Sequence, residues 1–570
     1  MAESDGARFG SDVIVDLLIE AGVEHVAFNP GASFRGLHDS LVHREGSPQI
    51  SLCMHESIAV SMAQGYAKAA GKPMAVLLHN VVGLQNASMS IYNAWCDRVP
   101  ALLIGGTGPK SKPRRRPWID WIHTASVQAN IIRDFVKWDD EPHDLESVEE
   151  SFARALAATR SAPCGPVYLC YDVDLQEDPV PEDFVREGIG QYPVPSPPAA
   201  SADDVAWILQ AIEGAQHPVI LAGYVGEQPE SFQALVDLAE AFGAPVIDTG
   251  VRHAFPTTHP LAAMHVAGLL ESADVVLALD VEDLHTPLRH RLVDDPTLTL
   301  LNVSLSGLKL RAWAHDYQAM VPAERLVTAS ADSVVSALLS KLRERPLPEA
   351  KVEARRTAVS TAISAARLAW RRQASAAEAR GVVPLERVLY ELSKALEGVD
   401  FVLGGGTGAR LEHKYLALDR PRQYTGWGAG GGLGYGVGGA LGTALAQPPG
   451  TITVDVQADG DLLFLPSALW TAAHKSLPVL FVVNNNRQYG NTVEHASRIA
   501  EHRGHDDGTR YVGAGLADPP VDLAAMAKSF GVWASGPIST VDALTQQLAA
   551  AVKIVSSGKP ALIDVLTPGF

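Results

Sequence analysis

The segment Ala458–Asn486, ADGDLLFLPSALWTAAHKSLPVLFVVNNN, constrains the fold more than any other part of the chain. The apolar run Thr451–Val456 before it reads as a strand and ends in a turn bearing Asp459. A helical stretch crosses over, and a second apolar strand, Val479–Val483, ends in Asn484-Asn485-Asn486. Strand, helix and strand in that order make a parallel pair whose strands finish on the same edge of the sheet. Asp459 and Asn486, 27 residues apart, are therefore expected at one carboxyl edge, where such sheets bind ligands. A carboxylate, an amide oxygen and a nearby main-chain carbonyl (Gln488 by position) are hard donors that suit Mg²⁺ holding a diphosphate. Alone, Asp459-Gly460 marks a turn and the Asn run a strand terminator. The two together argue for a site.

The same alternation runs through the rest of the chain. Helical spacing over Asp12–Gly22, His55–Ala69 and Gly83–Trp95 is interleaved with apolar strands at His25–Phe28, Pro73–Leu78, Ala101–Ile104 and Pro166–Tyr171. A Pro-rich linker, Tyr192–Ala200, leads to a unit with strands at Val219–Ala222, Pro245–Asp248, Val275–Leu279 and Leu298–Val303. That unit has no GxGxxG after a strand, so no dinucleotide site is signalled. Lys351–Arg380, rich in Ala and Arg, reads as a helical connector to a last unit with further strands at Phe401–Leu403 and Ala561–Val565. The expected architecture is α/β, three doubly wound parallel-sheet domains over residues 1–190, 200–348 and 380–570.

Composition removes several classes of function. With 47% hydrophobic and 19% charged residues, the chain can build sizeable cores. A net charge of −19 argues against nucleic acid as the main partner, because phosphate backbones need a basic surface. No apolar run reaches the ~18 residues of a membrane span. The opening stretch, MAESDGARFGSD, lacks the basic and apolar regions of a secretory signal, so a cytoplasmic location is expected. The four cysteines show no CxxC spacing, so neither a disulfide framework nor a zinc site is indicated.

Three further features carry chemistry. Ten of the seventeen residues Gly426–Gly442 are glycine, interleaved with Trp427, Leu433, Tyr435, Val437 and Leu441, which suits backbone brought close to a ligand. The strand Phe401–Leu403 runs into Gly404-Gly405-Gly406-Thr407-Gly408 and then a helical segment, an anion-binding shape. Glu56 opens a helix in apolar surroundings, where an isolated acid ordinarily complements the helix dipole.

Together these residues resemble the thiamine diphosphate (ThDP) enzymes of the pyruvate decarboxylase and acetolactate synthase superfamily. The likeness spans essentially the whole chain, as pyrimidine-binding, central and diphosphate-binding domains in that order. The superfamily's Gly-Asp-Gly motif appears as Ala458-Asp459-Gly460, and its Asn pair as Asn485-Asn486; the Ala458 methyl is expected to crowd the turn slightly. The resemblance implies Mg²⁺ ligation by Asp459, Asn486 and the Gln488 carbonyl. It implies cofactor contacts at Thr407, Gly408, Gly432, Gly460, Asp461, Tyr489 and Gly490, with Leu433 as the apolar wedge that bends the cofactor. Glu56 would be the activating glutamate, contributed to a neighbouring chain's metal site, so a dimer or tetramer with shared sites is implied.

Within the superfamily, Ser467–Ala473 and the stretch His79–Trp95 resemble benzoylformate decarboxylase, with His79 on that family's proton-transfer histidine. The serine expected in the Asn29-Pro30-Gly31 loop is Ala32, with Ser33 following, and His285 matches a second histidine poorly. Glu494, eight residues beyond Asn486, resembles the proton-relay glutamate of 2-hydroxyacyl-CoA lyases. Five cations in Lys110–Arg116 read ordinarily as a solvated loop; following a strand end, they could alternatively attract CoA phosphates or an anionic acid, with Trp118 and Trp121 beside them shaping a lid. The expectation leans to a reversible 2-hydroxyacyl-CoA lyase releasing formyl-CoA and an aldehyde or ketone; the alternative is a 2-oxo acid decarboxylase of benzoylformate type. Further alternatives are an acetolactate synthase-like enzyme and a non-catalytic homologue. The equivalent of the FAD segment of acetolactate synthases reads LALDVEDLHTP, so no FAD is expected.

Overall fold

The computed structural model describes residues 8–292, 298–306, 321–426 and 428–569. Trp427 and the first seven residues of the N-terminal stretch lie outside the described residues. Among the described residues, three sheets, parallel throughout, account for the strands.

The first sheet contains β1 (His25–Phe28), β2 (Gln49–Leu52), β3 (Ala75–Leu78), β4 (Ala101–Thr107), β5 (Asp139–Asp140) and β6 (Pro166–Asp172), in the order β2-β1-β3-β4-β6-β5. The chain leaves β1 for β2 on one side and returns with β3 on the other. The carboxyl ends of β1 and β3 therefore flank a crevice at which the winding reverses. The second sheet, β7 (Pro218–Ala222), β8 (Val246–Asp248), β9 (Val275–Leu279), β10 (Thr299–Val303) and β11 (Arg325–Val327), has the order β11-β10-β9-β7-β8. The third, β12 (Phe401–Gly405), β13 (Ile452–Ala458), β14 (Val479–Asn485), β15 (Trp533–Ile538) and β16 (Ala561–Leu566), runs β12-β13-β14-β16-β15. Both α/β character and parallel winding agree with the sequence.

Central strands are apolar where helices cover both faces, as β3 (AVLL) and the VLFVV run of β14 before its terminal Asn484-Asn485 show. The first and third sheets share one core, in which Ile58 and Met62 pack with Val437 and Leu441. The helices carrying these side chains, Glu56–Ala70 and Tyr435–Leu445, approach closely enough to require glycine. A Cβ on Gly65 would lie 1.9 Å from the Gly439 carbonyl oxygen. A buried polar cluster ties all three units together. Lys68 pairs with Asp97 and donates to the Tyr435 hydroxyl at 2.9 Å, and Arg252 reaches Asp97 at 2.7 Å. The connector is a helix over Glu349–Ala376. Among the described residues, no helix is long and apolar enough to cross a membrane.

Two local expectations fail. Gly404–Gly408 does not feed an α-helix. β12 extends through Gly405, Arg410 adopts a left-handed φ of 52°, and only the short 3-10 turn Leu411–Lys414 follows. The loop thus has no helix N-terminus to offer an anion. Nor does Asp459 sit in a turn: it is the first residue of the short helix Asp459–Phe464. Ala458, at φ −77° and ψ 150°, is extended and exposed, so its methyl crowds nothing there.

Candidate active site

Two strand edges gather the chemistry. The first lies at the β1–β3 crevice. His79 follows β3 directly and caps the helix Asn80–Cys96. Its Nδ1 meets the Ser33 hydroxyl at 2.9 Å, and the Asn80 amide nitrogen faces Nε2 at 3.3 Å. That arrangement suits a neutral ring protonated on Nδ1. The ring lies against Gly31, where a Cβ would come within 2.0 Å of Cγ. His123 meets it edge-on, with centroids 5.5 Å apart. Burial pushes the His79 pKa down to about 4, and His123 and Arg116 push the same way against the pull of Glu56. His79 is therefore neutral at physiological pH.

Ser33 lies one position beyond the expected serine, and it touches the histidine that the sequence singled out. His123, rather than His285, is the histidine whose ring meets His79 among the described residues. Sequence reasoning passed over His123; its only signal was its place just after Trp118 and Trp121.

Glu56 starts its helix behind the N-cap His55, whose Nδ1 accepts from the Ser57 N–H at 3.0 Å. The carboxylate is 4% exposed, and the Asn86 amide donates to its Oε2 at 3.1 Å. Gly83 makes room for it, since a Cβ there would lie 3.0 Å from Oε1. The Asn80–Cys96 helix thus presents His79 at its start and Asn86 against Glu56 one and a half to two turns later. It also carries Asn93, which accepts from the Gly432 N–H at 3.1 Å and donates to the Gly432 carbonyl at 3.3 Å. Leu433, next in line, is 44% exposed, unusual for a leucine between glycines packed on a helix.

The second edge is at β13 and β14. Their register pairs Ala458 with Asn484, which brings Asp459 and Asn486 to one carboxyl edge. Asp459 is 2% exposed, and its Oδ1 has no hydrogen-bond partner among the described residues. Burial lifts its pKa to about 6, although the N–H groups of Gly460 and Arg487 hold it down. Asn486 Oδ1 accepts from the Gln488 N–H at 3.2 Å, and Arg487 between them takes a left-handed φ of 55°. Tyr489 packs over Gly460, where a Cβ would lie 2.7 Å from its ring, and Gly490 opens the helix Gly490–Arg503. Asp461 accepts from the Gly434 N–H at 2.5 Å and from the Gln457 amide at 2.9 Å, and burial raises its pKa. A buried carboxylate oxygen lacking a donor, beside an amide oxygen on the same edge, fits a divalent cation.

The remaining candidates fall elsewhere. Thr407 donates its N–H to Glu412 at 2.6 Å, and Gly408 beside it is exposed. Glu494 lies on the helix Gly490–Arg503, partly exposed, in an ion pair with Arg498. Four of the five cations in Lys110–Arg116 are engaged within the chain. Lys110 pairs with Glu141, Arg114 with Asp174 and Asp178, and Arg116 with Asp120, while Arg115 donates to the Lys110 carbonyl. Trp118 and Trp121 are each 74% exposed.

Comparison with known proteins identifies the family. Three family models match: the thiamine pyrophosphate enzyme N-terminal TPP binding domain over residues 8–128, the central domain over 205–286, and the C-terminal TPP binding domain over 404–565. A benzoylformate decarboxylase of Pseudomonas aeruginosa is 26% identical, covering 90% of this chain and 91% of the relative. The acetolactate synthase large subunit of Haemophilus influenzae is 25% identical, covering 92% of each. Among solved structures, a thiamine diphosphate-dependent 4-hydroxybenzoylformate decarboxylase of Rhodococcus jostii shares the fold. It superposes with a TM-score of 0.77 at 22% identity, over 99% of this chain and 100% of that one.

Proposed function

The chain belongs to the thiamine pyrophosphate enzymes, and from that premise we propose that it is a 2-oxo acid decarboxylase of benzoylformate type, acting on a small-molecule acid. The observation that carries this reading is the neutral His79, fixed between Ser33 and Asn80 with His123 at its edge. A neutral imidazole set in a strand-end crevice can hold or move a proton at a reacting carbon or oxygen. Ser33 and Asn80 restrict its orientation, so little reorganisation accompanies the transfer.

Bound ThDP supplies the nucleophilic carbon and the electron sink for breaking a carbon–carbon bond. In this reading Asp459, Asn486 and the Gln488 carbonyl hold Mg²⁺. Thr407, Gly408, Gly432, Gly460, Asp461, Tyr489 and Gly490 line the cofactor, and Leu433 braces it. Glu56, with its carboxylate buried against Asn86, holds a proton at the cofactor's aminopyrimidine ring. The active unit is at least a dimer, with Glu56 serving the metal edge of a neighbouring chain.

A 2-hydroxyacyl-CoA lyase is the second reading. It keeps one structural argument, the place of Glu494 on the helix that leaves the metal edge. Against it stand the Arg498 pairing of Glu494 and the engagement of the Lys110–Arg116 cations, which leaves little free charge for CoA phosphates. Incubation of the Mg²⁺- and ThDP-loaded protein with aryl 2-oxo acids and, separately, with 2-hydroxyacyl-CoA esters decides between them. Release of CO₂ without ester cleavage supports the decarboxylase; formyl-CoA without CO₂ rejects it.

A further inference from the structure

The loop after β12 lies between two buried carboxyl groups. On one side, the Glu412 carboxylate accepts from the Thr407 N–H at 2.6 Å and from the Thr407 hydroxyl at 3.3 Å. Glu412 is 0% exposed, although no cation pairs with it directly among the described residues. On the other side is Asp455 of β13, fully buried, with neither carboxyl oxygen hydrogen-bonded among the described residues. Glycine lets the backbone pass close to both: a Cβ on Gly405, the last residue of β12, would lie 2.0 Å from Asp455 Oδ1, and one on Gly406 would lie a tight 3.3 Å from the Glu412 carboxyl.

A diphosphate that takes the Thr407 N–H would meet a donor already in use and a second negative charge beside it. In a buried site that repulsion is large. We propose that Glu412 is a resident carboxyl competitor of the cofactor diphosphate, and that ThDP seats at Thr407 only with Glu412 protonated, so that binding takes up a proton there. This rests on the assignment of Thr407 to the diphosphate. The surroundings favour that exchange. Burial lifts the Glu412 pKa to about 7, held down in part by the N–H and hydroxyl of Thr407 and by Arg410 on the same loop. Asp455 faces it from β13, with its own pKa well above the usual range, and Asp461 lies beyond. Tyr424 is also within electrostatic reach of Glu412, and the adjacent His413 is kept neutral by burial, with His253, His265 and Arg410 pushing the same way. The helix Tyr435–Leu445 contributes the uncharged Ala440 against Gly404.

The test is calorimetric titration of ThDP into Mg²⁺-saturated protein at pH 6, 7 and 8, for the natural chain and for Glu412→Gln. Obligatory protonation of a group with this pKa weakens binding about tenfold from pH 6 to 8 relative to the Gln variant, which carries no such charge. Cofactor and metal-ligand ionisations are common to both proteins and cancel in the comparison. Repetition in buffers of different ionisation enthalpy counts protons, and the natural chain should take up close to one more per site at pH 8 than the variant. Identical pH profiles for the two proteins would overturn the proposal and leave the ThDP reading intact. Uptake by neither protein at any pH would overturn the assignment of this loop and the proposal with it. If Glu412→Gln does not fold, the proton count of the natural chain decides alone: uptake at pH 8 supports the proposal and net release contradicts it.

Discussion

The two strand edges of the candidate site are built on opposite terms. At the β1–β3 edge polar groups are partnered: Ser33 and Asn80 on His79, Asn86 on Glu56. At the β13–β14 edge and the neighbouring loop, carboxyl groups crowd together with no ion pair among the described residues. Asp459 has an oxygen with no partner, Asp455 has two, and burial raises the pKa of both together with those of Asp461 and Glu412. Buried charge is costly unless paired. The first edge is thus complete in the polypeptide itself, whereas the second, in the proposed reading, would reach its low-energy state with a metal and cofactor. In the proposed reading one edge would handle protons and the other would bind.

Substitutions break that contrast in graded ways. Glu56→Gln should cut turnover by about 10³-fold, within the range for a lost acid–base group, while ThDP still binds by calorimetry. Parallel loss of binding would move Glu56 to the binding side. Asp459→Ala should weaken Mg²⁺-dependent ThDP uptake by at least ~100-fold, exceeding the usual loss for an outer-shell partner. A small change there would make the metal edge incidental. Gly31→Ala leaves an extended backbone unstrained, at φ −150°, but drives a methyl into the His79 ring. A displacement of about 1 Å should cost up to ~10²-fold in kcat with unchanged cofactor affinity. Glu494→Gln should slow turnover about tenfold if the carboxyl reaches the reacting centre; an unaltered rate would reduce it to a surface partner of Arg498.

The smallest effect is a titration. The His79 ring should show an NMR midpoint of about 4 in the folded protein, and no transition near 6.5. Because its folded pKa lies below the unfolded value, this histidine opposes folding progressively as pH falls from 6.5 towards 4, and costs nothing above that window. His123→Asn should raise the midpoint, since His123 helps to hold it down.

The legible parts of the molecule were those fixed by local pattern. Apolar runs located the central strands, and Val275–Leu279 matches β9 residue for residue. Short edge strands were missed because two or three residues carry no periodicity: β5 is Asp139–Asp140 and β11 is Arg325–Val327. β15 hides behind Gly536-Pro537, where its pairing with β16 shifts register. Asp459 and Asn486 could be placed because strand order alone sets their common edge. His123, Ser33 and Glu412 could not. Each acquires its meaning from a partner brought by the fold: His79 lies 46 residues from Ser33, and Asp455 comes from another strand. The partners of the basic run were hidden for the same reason, since Glu141, Asp174 and Asp178 reach it only in the folded chain.

The central claim is that the carboxyl-rich edge is a Mg²⁺-ThDP seat facing a proton-handling edge. Calorimetric titration of ThDP into the natural protein, with and without Mg²⁺, tests it most directly. The expected result is saturable uptake of one ThDP per chain that disappears when the metal is chelated. Absence of uptake from metal-replete, folded protein would contradict the account.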